Sequence, residues 1–145
     1  MIIPLDFKEV FTVWSFVRVS HFHNCFGKVK FIIDTGSSRS LISQEDAEHL
    51  RIPIRRLVPD REHFGRGLSG GFIELYKLPE ITISFLDPKN DKVQKIKCRK
   101  FDVGVSANKK TGMEIKDSIL GNDFLIEFKL KLIANPHGES YLESV

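Results

Sequence analysis

Cysteine is scarce in this sequence: Cys25 and Cys98 are the only two, too few for a disulfide framework. The fold must therefore be held by packing and hydrogen bonds, and the expected setting is the reducing cytoplasm. No apolar stretch approaches the roughly 20 residues that a helix needs to span a bilayer, so no membrane partner is expected. The opening Met-Ile-Ile-Pro-Leu-Asp lacks a basic region ahead of an apolar one and does not read as a signal peptide. An excess of one charge is missing too, since 22 Lys and Arg face 19 Asp and Glu, leaving +3. On that balance Arg51, Arg55 and Arg56 read as a solvated face, and no nucleic-acid partner is expected. Internal repeats, low-complexity segments and linkers are absent as well. One domain over residues 1–145, with its core at about 11–142, is the expectation.

What is present points to a mostly-β protein. The composition, 41% hydrophobic and 28% charged, is that of a globular domain, and 12 Phe against two Tyr and one Trp suit a dry interior. Residues 11–19 and 28–33 have strand composition, and the polar stretch 21–27 between them suits a hairpin connection. Trp14, at the start of the first strand, reads as a core residue. Ser43 followed by Asp46 resembles a capping box, opening a short helix over 44–50 that Pro53 closes. Residues 61–71 carry Gly65, Gly67, Gly70 and Gly71, and a strand pattern resumes at 72–76, which predicts a hairpin with a glycine-rich tip. Ile81, Ile83 and Phe85 alternate with Thr82 and Ser84, the period of a half-buried strand. Turns at 87–91 and 107–112 flank one or two strands within 93–105. Asn122 is placed to cap a helix over 123–128, and 129–133 with 140–142 flank a final hairpin turn at 135–138.

The chemistry concentrates where the second strand runs into Asp34-Thr35-Gly36-Ser37-Ser38. Strand interiors disfavour Asp, and burying an ionised carboxylate is costly unless it is hydrogen-bonded. Gly36 lets the chain turn sharply, and the N–H groups and hydroxyls beyond it can hold the Asp34 oxygens at the mouth of a cleft. In its context, Phe31-Ile32-Ile33-Asp34-Thr35-Gly36-Ser37-Ser38-Arg39-Ser40-Leu41-Ile42, this stretch resembles the active-site segment of the retropepsin-like aspartic peptidases, single-domain relatives of pepsin. Ile119-Leu120-Gly121-Asn122-Asp123-Phe124-Leu125 resembles that family's strand–Gly–helix signature, and the glycine-rich hairpin lies between the two, where the family has its flap.

The resemblance implies a single-domain acid-protease fold: a closed or partly open β-barrel with a flap hairpin and one or two short helices. It implies an aspartic endopeptidase without metal or organic cofactor, acting on a peptide or protein substrate. Because Asp-Thr-Gly occurs once, a homodimer is needed to bring two Asp34 carboxylates together at a twofold axis. Thr35 would brace the pair across that axis, Gly36 and Ser37 would orient the carboxylates, and Gly67, Gly70 and Gly71 would let the flap open and close over substrate. The tail from 129 looks like that of the cellular members of the family, where a hairpin follows the helix. Phe64 and Phe72 are candidates for the flap's substrate-contacting aromatic.

Other readings compete. Asp34-Thr35-Gly36-Ser37 also fits a phosphate loop of the actin-like ATPases, but that fold needs a longer chain and a second loop. A non-catalytic dimerisation or peptide-binding module of the retropepsin fold is the alternative from another class. His21, His23 and Cys25 share the types and spacing of zinc ligands, but read as part of a polar hairpin. Asp123 reads as a first-turn carboxylate favoured by the helix dipole, not as a second catalytic acid. For Cys98 no His–acid arrangement supports a reactive thiol.

Overall fold

The computed structural model describes residues 1–60, 65–66, 72–87, 91–106, 116–135 and 137–145. Alternation organises its centre. In β2 (Phe11–Val19) Val13, Ser15, Val17 and Val19 point inward and are buried, while Trp14, Phe16 and Arg18 point outward. Trp14 was expected in the core; it is instead 57% exposed, because its position in the alternation outweighs its hydrophobicity. β2 pairs antiparallel with β3 (Phe26–Ile33), and Asn24, with φ of 62°, supplies the left-handed residue in their connection.

β8 (Ile81–Asp87) and β9 (Lys92–Cys98) form a hairpin laid against the other edge of β2, over Ser15–Val19. That edge also receives β1 (Ile2–Phe7), through Asp6 opposite Thr12 and Phe7 opposite Phe11. β1 pairs in turn with β13 (Ser140–Ser144), and β13 with β12 (Leu130–Ile133). On the far side of β3 follow β11 (Ser118–Leu120), β4 (Leu41–Ser43), β10 (Asp102–Ser106), β7 (Phe72–Lys77) and β5 (Val58–Pro59). The end strands β12 and β5 do not pair, so the sheet curls without closing. The architecture is mostly β and partly open, as expected.

Two short helices complete it. α1 (Gln44–His49) starts on Ser43, whose hydroxyl accepts from Asp46 N–H at 3.0 Å. The reciprocal half of a capping box is relayed: Ser43 N–H donates to the buried Ser118 hydroxyl, which donates to Asp46. Past the C-cap Leu50 the chain turns away at Arg51, left-handed at φ 62°, with Ile52 N–H returning to Ala47 O; Pro53 lies beyond that stop. α2 (Asn122–Glu127) packs Phe124 into an aromatic cluster, edge-on to Phe85 and Phe101 at 6.4 Å, with Phe31 edge-on to Phe101.

Candidate active site

β3 delivers Asp34, and β11 fixes where it stops. β11 lies parallel to β3, with Ile119 opposite Ile32, and antiparallel to β4, with Ile119 opposite Leu41. The loop 34–40 therefore leaves β3, passes over the end of β11 and returns on its far side. Asp34 N–H continues the ladder by donating to Leu120 O at 3.1 Å. Beyond it the chain turns at once: Ser37 N–H donates to Asp34 O, and Gly36 N–H donates to Asp34 Oδ1 at 2.9 Å. A Cβ on Gly36 would stand 3.1 Å from that same Oδ1, so contact with the carboxylate, not a left-handed backbone, is what favours glycine there. Asp34 itself is half-buried.

The strand–Gly–helix segment holds the loop from beneath. Asn122 donates its side-chain amide to Thr35 O at 2.6 Å and its backbone N–H to Ser37 O at 2.8 Å. Gly121 N–H donates to Ser40 Oγ, and Ser40 donates both its hydroxyl and its N–H to the Asp123 carboxylate, at 2.6 and 3.0 Å. A Cβ on Gly121 would lie 2.7 Å from Ser37 O and 2.8 Å from Arg39 O, so only glycine lets the two segments touch. Asp123 thus ties the loop to α2, as well as accepting from Phe124 N–H in its first turn. The helix cap is Gly121; Asn122, expected as the cap, spends its side chain on the loop.

One further cluster stands beside the loop. Arg39 reaches Asp102 at 2.5 Å and Asp60 at 3.3 Å, both carboxylates being almost fully buried. Burial pushes the Asp102 carboxyl up to about 6; Arg39 opposes the rise and Asp60 adds to it. The Arg39 Nε is buried without a partner among the described residues. This cluster links the loop to β10 and to the segment following β5.

Asp34, Thr35, Gly36 and Ser37 thus fall in one turn. Thr35 is exposed, and the Ser37 hydroxyl donates to Arg39 O at 2.8 Å rather than to Asp34. Gly67, Gly70 and Gly71 lie outside the described residues, as does Phe64; the backbone of β6 (Gly65–Arg66) is described and pairs with β7 at Ile73 and Phe72. Sequence reasoning missed the clamp by Asn122 and the Arg39 cluster. The signal for the first was a side-chain amide right after the glycine of the signature. The second had none, because the partners are 21 and 63 residues away.

His21 and His23 are exposed in a turn, whereas Cys25 faces inward and donates to Arg51 O at 3.1 Å. The three do not converge, and the described residues hold no group of three potential metal ligands. Both cysteines are free and buried, and burial raises both thiol pKa values, that of Cys98 to about 12.

The class that fold and loop define is the retropepsin-like one. The crystal structure of a retropepsin-like aspartic protease from Rickettsia conorii matches with a TM-score of 0.55 at 21% identity, over 98% of this chain and 88% of that one. No curated protein matches the sequence. The sequence profile of the aspartyl protease family matches residues 24–124, from the β2–β3 turn through the signature glycine into α2, and the chain belongs to that family.

Proposed function

We propose that the protein is an aspartic endopeptidase that works as a homodimer, with one Asp34 from each subunit in a shared site. The observation that carries this reading is the single Asp34 carboxylate, presented at a strand end and held at Oδ1 by Gly36 N–H on a loop pinned by Asn122 and Ser40. A pinned loop holds a reacting group in place without reorganisation during the reaction. One carboxylate cannot act as both acid and base in the same step, so the chemistry asks for a second copy.

Two carboxylates meeting at a twofold axis cannot both ionise easily and share one proton; the aspartic-protease dyad is the standard case of this coupling. The titration then belongs to the pair. The ionised member takes a proton from a water lying between them as its oxygen attacks the peptide carbonyl. The protonated member gives its proton to the carbonyl oxygen, and a tetrahedral diol forms. Collapse breaks the C–N bond: the departing amine takes the proton of the protonated carboxyl, and one diol hydroxyl gives its proton to the other carboxylate, restoring the dyad. Exposed Thr35 is free to brace the partner's loop, and Gly67, Gly70 and Gly71 would give the flap its freedom. Substrate would enter as an extended strand, its side chains read by pockets. The two free thiols suit a cytoplasmic setting.

The test is hydrolysis of a mixed peptide library from acidic to neutral pH by wild type and Asp34→Asn. Cleavage by wild type alone, with the variant's circular dichroism unchanged, is expected. Cleavage retained in the variant removes the mechanism. A folded dimer that cuts nothing at any pH turns the reading to a peptide-binding module on the same fold.

A further inference from the structure

The outward side of β3, β2, β8 and β9 carries a face that peptide hydrolysis does not use. These strands pair antiparallel in that order, and their outward residues fall into rows. Phe26, Arg18, Thr82 and Lys97 make one row; Lys28, Phe16, Ser84 and Lys95 make the next; Lys30 and Trp14 begin a third. Trp14, Phe16 and Phe26 are exposed by 57, 41 and 46%. No Asp or Glu takes an outward position in the four strands, and none of the five cations is ion-paired among the described residues. Two of the cations lie over the rings instead: Arg18 at 5.4 Å from the Phe26 centroid, and Lys30 at 5.6 Å from that of Trp14.

Rings open to solvent on a pleated surface, among charges of one sign, suit a ligand that is both planar and anionic. We propose that this face binds single-stranded RNA. Bases stack on Trp14, Phe16 and Phe26, and phosphates meet Arg18, Lys28, Lys30, Lys95 and Lys97. Thr82 and Ser84, half-exposed in the strand between the ring-bearing and lysine-bearing strands, place two hydroxyls where a ribose 2′-OH can be read. A duplex keeps its bases stacked inside, and an anionic bilayer has no planar group for the rings to stack on. The expectation of no nucleic-acid partner rested on net charge. The five cations come from three separate strands, and only their pairing gathers them.

Trp14 is the sole tryptophan, so its fluorescence reports this face alone. Full-length protein is titrated with a short oligouridylate at several salt concentrations. Saturable quenching is expected, with log K falling against log salt by a slope of up to about 3.5 if all five cations meet phosphates. Lys28→Ala with Lys95→Ala, which leaves the rings in place, should weaken binding roughly tenfold. Phe16→Ala should weaken it about fivefold or more. These side chains are exposed, and circular dichroism checks that the variants fold. Absent or salt-independent quenching overturns the proposal, as do variants that bind like wild type. Oligodeoxyuridylate bound as tightly overturns the ribose assignment. Phosphatidylserine vesicles that shift Trp14 emission to the blue, where RNA leaves it unchanged, make the face a membrane contact instead.

Discussion

Asp102 sits almost fully buried against Arg39, and its carboxyl is held at about 6 instead of 3.8 because the desolvation of β10 outweighs the neighbouring guanidinium. A raised carboxylate pKa means that the folded protein binds the proton more tightly than the unfolded chain. The stability this contributes is present below pH 4 and is lost as pH rises through 6. The shift corresponds to about 3 kcal/mol at most. Urea midpoints taken between pH 4 and 7 should therefore fall more for wild type than for Asp102→Asn, which has no proton to lose. An unchanged slope in the variant removes Asp102 as the source. Nothing in the sequence announces this group, since Arg39 and Asp102 are adjacent only after β4 and β10 pair in parallel. Asp34, by contrast, was legible, because its loop is local: a strand, a carboxylate, and a glycine whose N–H returns to it within two residues.

Among the elements, those that follow from local pattern were readable and those that depend on distant pairing were not. β2 and β3 follow from strand composition, β8 from alternation, and the β12–β13 hairpin from its turn residues. β1 escaped detection because Pro4 and Asp6 interrupt it and Ile3 is its one buried residue; its strand geometry comes from β13, at the other end of the chain. α1 shows the mixture. Its start was legible in Ser43 and Asp46, but the hydroxyl that completes the cap belongs to Ser118 in β11. Ser118→Ala should leave Ser43 N–H without an acceptor in a fully buried site and cost about 1–3 kcal/mol in urea unfolding. A loss below a few tenths would mean that the relay contributes nothing to the helix.

The whole molecule poses the question of stoichiometry. If each site needs two Asp34 carboxylates, wild type and Asp34→Asn subunits unfolded together in equal amounts and refolded should retain about one quarter of the wild-type activity, since only one pairing in four has both groups. Half the activity would mean that a subunit works alone. The curled, open sheet was foreseeable as a class, but its path was not, because one edge of β2 is shared between β1 and the β8–β9 hairpin. Both thiols lie inside: Cys25 closes the β2–β3 connection and Cys98 ends β9. Neither can form a thiolate readily while the sheet is intact. An alkylating reagent should therefore label the protein only as fast as these regions open, so the kinetics of labelling become a clock for native-state breathing. Cys25 times the hairpin connection and Cys98 the β8–β9 layer, and mass spectrometry of peptides can read the two separately. Equal rates would describe a sheet that opens as one unit, and unequal rates one whose layers part independently.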